Sequence, residues 1–346
     1  MKTKITEMMG IKYPILLSGM SWISTPRMVA AVSNAGGLGI LATGPLSPEQ
    51  TREAIREVRR LTDKPFGANA SLLFAAAREN ARVLLEEQVP VINFALGKGD
   101  WIVREAHKYG GKVIATVVNL RHARRAQDYG CDAVIATGNE AAAHGEEVTS
   151  LVLIPHLVEN LQIPVIAAGG FADGRGLAAA LALGAEGIAM GTRFMATQES
   201  PLHENYKKLA VEKDVYDTIF SDRFDGLLCR IMKTEAAERA VKKGLNLMAA
   251  FFNSRDIARQ MNVPYWKMFF GVLASGWSTA RQLAYMANAF KMIKMATEEG
   301  DTRTGVLPVG QVQGLIHDIP TVAELLERIV HDAKKTENRL ANIFSS

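Results

Sequence analysis

The feature that most constrains this chain of 346 residues is an alternation. Apolar runs of strand length recur eight times between Pro14 and Arg193. They are PILLSGM (Pro14–Met20), GLGILAT (Gly37–Thr43), PFGANASLL (Pro65–Leu73), VPVINFALG (Val89–Gly97), KVIATVV (Lys112–Val118), DAVIATG (Asp132–Gly138), PVIAAGG (Pro164–Gly170) and GIAMGTR (Gly187–Arg193). Seven stretches of helical spacing separate them. One is TPRMVAAVSNAG, with Thr25 as cap and Pro26 in the first turn; another is opened by Ser47-Pro48. Strands that are apolar on both faces and joined by helices belong to a parallel sheet. A doubly wound open sheet has this pattern too, but eight successive strand–helix units in this length fit an α/β fold of the (β/α)8 TIM-barrel type better. Chemistry in a barrel sits at the C-terminal strand ends. That directs attention to Gly19-Met20, Asn69, Gly97, Thr116, Gly138-Asn139-Glu140, Gly169-Gly170-Phe171 and Gly191-Thr192.

Past Arg193 the alternation stops. TEAAERAVKKG, SRDIARQM and TARQLAYMANAFKMIKMA keep helical spacing, and the sequence predicts an all-helical insert lying over the barrel mouth. Residues 1–200 and 302–346 then form the barrel, and 201–301 a helical substrate or lid subdomain. The methionines of YMANAFKMIKMA are either plain core, the commoner case, or the lining of an apolar pocket. The tail regains an amphipathic pattern behind a Thr321 cap and is expected to supply the last barrel helix.

Charge excludes some functions. With 40 Lys and Arg against 36 Asp and Glu, the balance is only +4, and the basic runs Arg121–Arg125 and Lys242–Lys243 are short. They read as solvated helix faces, and no nucleic-acid partner is expected. Cys131 and Cys229 match no metal spacing, so no metal is expected, and Cys131 reads as a small buried hydrophobe in a reducing compartment. Glu7 and Pro14 interrupt any signal-peptide core, and no run approaches the ~18 apolar residues of a membrane span. A cytoplasmic protein without a membrane partner is expected.

The stretch AAGGFADGRGLAAALALGAEGIAMGTR carries the strongest chemical signal. Two glycine clusters, Gly169-Gly170 and Gly191-Thr192, close adjacent strands. Such glycines serve tight turns, but two clusters at the last strand exits favour a phosphate held by bare amides and a helix dipole. A phosphate site beside an apolar mouth suits FMN. No G-x-G-x-x-G follows the first strand, so a Rossmann site is not expected, and AGGLG (Ala35–Gly39) precedes its strand. Of seven histidines, only His144 follows a strand exit, whereas 107, 122, 156, 203, 317 and 331 fall on helices or peripheral loops. An active-site role is therefore weighed above that of a plain loop histidine, because imidazole titrates near working pH. Glu140 is left with three roles: orienting His144, binding a flavin hydroxyl, or a solvated carboxylate.

MSWISTPRMVAAVSNAGGLG, PFGANASLL, PVIAAGGFADGRGLAAALALGAEGIAMGTRF and VGQVQGLI together resemble the nitronate monooxygenase (2-nitropropane dioxygenase) family. That family includes FMN-dependent NADH:quinone reductases and enoyl-acyl-carrier-protein reductase II. The resemblance spans about Thr3–Arg193 and Gly300–Val330, and is weakest over Pro201–Asp301. It implies non-covalent FMN, with Gly169, Gly170, Gly191 and Thr192 at its phosphate and Met20, Asn69 and Gln311 near the ring or ribityl chain. It also implies His144 as the active-site histidine. Three departures stand out. Ala142-Ala143-His144 replaces Gly-Gly-His or Ala-Gly-His, Thr116 stands where some relatives place a lysine near the flavin, and Leu17-Ser18 replaces a polar-glycine pair. The activities implied are oxidation of alkyl nitronates with O2, or reduction of a quinone or enoyl thioester with NADH or NADPH as transient reductant. A non-redox phosphate-binding lyase or isomerase is the remote alternative. The expected partner is a small-molecule substrate, with a homodimer left open.

Overall fold

The computed structural model describes residues 1–72, 75–260, 264–274 and 276–345; Leu73 and Met261, the ends of two stretches quoted above, lie outside them. In chain order the strands are β1 (Ile15–Leu17), β2 (Gly39–Ala42), β3 (Phe66–Ser71), β4 (Val91–Ala95), β5 (Lys112–Val117), β6 (Ala133–Thr137), β7 (Ala143–His144), β8 (Val165–Ala168), β9 (Ile188–Met190), β10 (Thr218–Ser221) and β11 (Cys229–Met232). Eight of them form one parallel sheet in the order β1-β9-β8-β6-β5-β4-β3-β2. A parallel bridge from Leu16 to Leu38 brings its two ends together, giving a nearly closed TIM-like barrel. The fold class expected from the alternation is the one observed.

The period-2 side-chain alternation of a strand sorts each apolar run into two layers. Ile15 and Leu17, Val134 and Ala136, and Val165 and Ala167 join the cluster beneath the outer helices. Leu16, Ile135 and Ile166 point the other way and fill the barrel interior. Helix Lys4–Met9, which the apolar-run pattern does not reveal, stops the N-terminal end of that interior. It opens with a Thr3–Thr6 capping box, and its Ile5 and Met9 enter the interior cluster. Burying each of these side chains contributes roughly 1.5–3 kcal/mol. The outer ring runs from helix Pro26–Asn34 to helix Gly174–Ala182. It is completed by helix Val322–Phe344, which packs on Gly174–Ala182 behind a Thr321–Glu324 capping box.

The region after Met195 corrects one expectation. Helices Glu204–Glu212, Glu235–Lys243, Leu247–Gln260, Tyr265–Ala274 and Trp277–Thr297 are present, but the insert is not all-helical. β10 and β11 form an antiparallel hairpin, and β11 pairs on its other side with β7, setting Cys229 opposite His144. TIFS and CRIM are too short for periodicity to separate strand from helix, and their pairing is non-local. The insert also touches the loop after β1, where Trp22 meets Phe290 edge-on with ring centroids 5.5 Å apart. Among the described residues no helix is long and apolar enough to cross a membrane.

Candidate active site at the barrel mouth

Two groups of residues meet at the C-terminal end of the barrel. The first is a cradle at the exits of β8 and β9. The register that pairs Ala168 with Ala189 brings the following glycines side by side. Gly169 and Gly170 take φ of +97° and +83°, the left-handed region that an L side chain enters only with strain. The chain then turns at Gly191 into the short helix Thr192–Met195. Among the described residues, the amides of Gly169, Gly170, Gly191 and Thr192 have no protein acceptor. Partly or fully buried amides left without partners are costly unless a ligand takes them. The Thr192 hydroxyl accepts the Gly310 amide at 2.9 Å, and the Gln311 amide donates to the Glu140 carbonyl at 2.9 Å. The return segment is thus stitched across the cradle, and Met20 closes its other side, its sulfur lying beside Gly191.

Several predicted site residues have structural work here. Glu140 does not reach His144. Its carboxylate accepts the Ser150 amide (2.9 and 3.1 Å) and hydroxyl (2.9 Å) at the start of helix Ser150–Asn160, where negative charge is favoured. Asn69 straps the barrel seam: its Nδ2 donates to the Gly19 carbonyl (3.1 Å) and its Oδ1 accepts the Thr43 amide (3.1 Å). Thr116 accepts from buried Asn93 (3.0 Å) on the inner face of β5. Behind the cradle, burial pulls the Arg193 guanidinium pKa down while Asp318, 3.1 Å away, opposes the shift.

The second group surrounds His144. Its Nε2 lies 2.7 Å from Asp225 Oδ2, and the ring is 30% exposed. Ala143, at φ +54°, makes the turn that presents it, and its methyl packs into the insert's own core beside Phe224 and Ile231. The Ala143 methyl therefore serves the insert's packing. Arg230 of β11 clamps the same loop: Nε and Nη2 donate to the Asn139 carbonyl (3.1 Å) and Oδ1 (2.7 Å), and Nη1 donates to Thr218 (2.9 Å). Its guanidinium stacks 4.8 Å over Phe220. Burial lowers its pKa, opposed by the nearby Glu140 charge. Cys229 is a buried free thiol whose pKa is raised, first by burial and then by Asp225.

Reasoning from strand exits missed Asp225, Cys229 and Arg230, which lie in the insert. The signal available was a charged residue inside the apolar run LLCRIM.

A TIM-like barrel whose mouth joins an unpartnered amide cradle to a histidine held by a carboxylate belongs among the oxidoreductases. More particularly, the chain belongs to the nitronate monooxygenase family, whose model matches residues 2–83 and 74–332, the insert included. That family implies a flavin. A 5-hydroxy-7a-methyl-1-oxo-octahydro-indene-4-carboxyl-CoA dehydrogenase of Rhodococcus jostii is 37% identical over 97% of this chain and 96% of its own. A probable nitronate monooxygenase of Staphylococcus aureus is 30% identical over 66% of this chain and 78% of its own. Among solved structures, FabK from Thermotoga maritima superposes with a TM-score of 0.82 at 37% identity, covering 99% of both chains. A nitroalkane oxidase from Streptomyces ansochromogenes, at 23% identity and TM-score 0.77, shares the fold.

Proposed function

We propose that this protein is an FMN-dependent oxidoreductase acting on an acyl thioester, in the oxidising direction a hydroxyl-bearing acyl-CoA. The observation that carries this reading is the extent of likeness. The CoA dehydrogenase aligns over 97% of the chain, whereas the nitronate monooxygenase aligns over 66%. A near-complete alignment includes the insert, and the insert supplies Asp225 and Arg230 around His144.

The fit to FMN rests on the cradle. The amides of Gly169, Gly170, Gly191 and Thr192 offer donors to a dianionic phosphate, and Gly169 and Gly170 hold the cradle's positive-φ backbone without strain. Met20 and the Gln311 amide flank the same space, and Asn69 and Thr116, on the strands β3 and β5, are proposed to face the flavin beyond it. Bound there, the flavin supplies hydride acceptance or donation. His144 handles the accompanying proton, taken from a hydroxyl on oxidation or returned on reduction. The insert, contacting the loops after β1 and β6, acts as a lid that excludes water from the exchange.

A second reading, oxidation of alkyl nitronates with O2, is favoured by the family match itself. Anaerobic stopped-flow absorbance separates the two. We expect a yellow protein whose flavin bands bleach with a hydroxyacyl-CoA, or with NADH or NADPH followed by recovery on adding an unsaturated or oxo-acyl-CoA. Bleaching by a nitronate alone would replace this reading with the second. A colourless protein that takes up no FMN would end both.

A further inference from the structure

We propose that Asp225 is a positioning residue that fixes the tautomer of His144, reserving Nδ1 for proton exchange with substrate. The inference rests on the reading of His144 as the acid–base group. Asp225 comes from the turn between β10 and β11, 81 residues from His144, and its carboxylate is largely buried. Its Oδ2 stands 2.7 Å from Nε2, and its Oδ1 accepts the Leu227 amide at 3.1 Å. A carboxylate only accepts hydrogen bonds, so it selects the imidazole carrying its proton on Nε2. Nδ1 then presents a lone pair, and among the described residues nothing bonds to it. When substrate yields a proton, the new N–H bond forms at Nδ1 while Nε2–H stays on Asp225. The imidazolium charge then lies against the carboxylate, and the reverse transfer returns the proton to substrate.

His144, Asp225 and Cys229 are also of metal-ligating type, their ligand atoms lying within 4.8 Å of one another. The geometry favours the hydrogen bond. Ligands ~2.0–2.1 Å from a tetrahedral zinc stand ~3.3 Å or more apart, and Nε2 and Oδ2 are at 2.7 Å. The Cys229 thiol, its pKa raised first by burial and then by the Asp225 charge, keeps its proton, and its sulfur lies 4.0 Å from the Arg230 carbonyl.

The Leu227 amide makes the test asymmetric. In Asp225→Asn the amide oxygen must stay on Leu227 N–H, which turns the NH2 group onto Nε2 and forces the proton to Nδ1. Asp225→Ala merely frees the ring. Histidine ring-15N spectra of the flavin-loaded protein, with His144 assigned by its loss in His144→Gln, read the tautomer directly. We expect the Nε2–H form in the parent and the Nδ1–H form in Asp225→Asn. Turnover should fall by about 10²-fold or more in Asp225→Asn, with KM within about three-fold, and by less in Asp225→Ala. Flavin content, equal across the set, reports intact folding. An Nδ1–H parent, an unchanged tautomer in Asp225→Asn, or stoichiometric zinc in the purified protein overturns the positioning. A switched tautomer with unchanged turnover instead overturns the acid–base reading of His144, so the two failures are told apart.

Discussion

The two halves of the mouth are held by different physics. The cradle after β8 and β9 is backbone: positive-φ glycines, unpartnered amides and one hydroxyl, nearly all within Gly169–Thr192. The limb carrying His144 is held by side chains from far along the chain, with Asp225 at 81 residues' separation and the Arg230–Asn139 contacts at 91. On the proposed function, this difference separates cofactor retention, a local property of the barrel, from proton handling, which depends on how the insert docks.

Substitutions at four positions test that separation. His144→Ala should leave flavin content unchanged and lower turnover by about 10²-fold or more, the range for losing an acid–base group; an equal loss of flavin would merge the two halves. Arg230→Ala strips the Asn139 carbonyl and amide oxygen of their donors. Denaturant titration should show about 2–3 kcal/mol lost, with turnover down roughly ten-fold and FMN still bound. Arg230→Lys should not restore it, because an ammonium cannot span both oxygens as the fork does. Gly170→Val should give the opposite pattern. Holding a β-branched residue at φ +83° costs about 1–2 kcal/mol, so FMN affinity measured by fluorescence should drop about ten-fold while the Asp225–His144 bond persists. The smallest effect is expected of Ala143→Gly. Relief of the +54° backbone, about 1 kcal/mol, is offset by a more flexible unfolded chain and a lost methyl contact. Stability should stay within about 0.5 kcal/mol, and a larger gain would mean that the insert tolerates strain at the histidine limb.

Much of the barrel was legible because its signals are local. Apolar runs bounded by Ser47-Pro48 or Thr321 report strand and helix ends through short-range sterics and capping; Ser47 and Thr321 both cap through their side chains, whereas Thr25 stands at its N-cap without a side-chain bond. The glycine clusters were legible for the same reason, since positive φ is a property of a few residues. Glu140 shows the limit. Its loop position was readable, but its observed partner, Ser150 at a helix start ten residues on, was not among the roles weighed for it. The hairpin β10–β11 was not legible, because TIFS and CRIM become strands only by pairing with each other and with β7.

The sequence by itself determined the parallel barrel, the glycine cradle at its C-terminal end and the histidine beside it. These follow from residue periodicity and from backbone conformations that only certain residues adopt at low cost. Only the tertiary structure decided what His144 touches. A hydrogen bond across 81 residues leaves no periodic trace, and its partner is set by where an antiparallel hairpin docks on a two-residue strand.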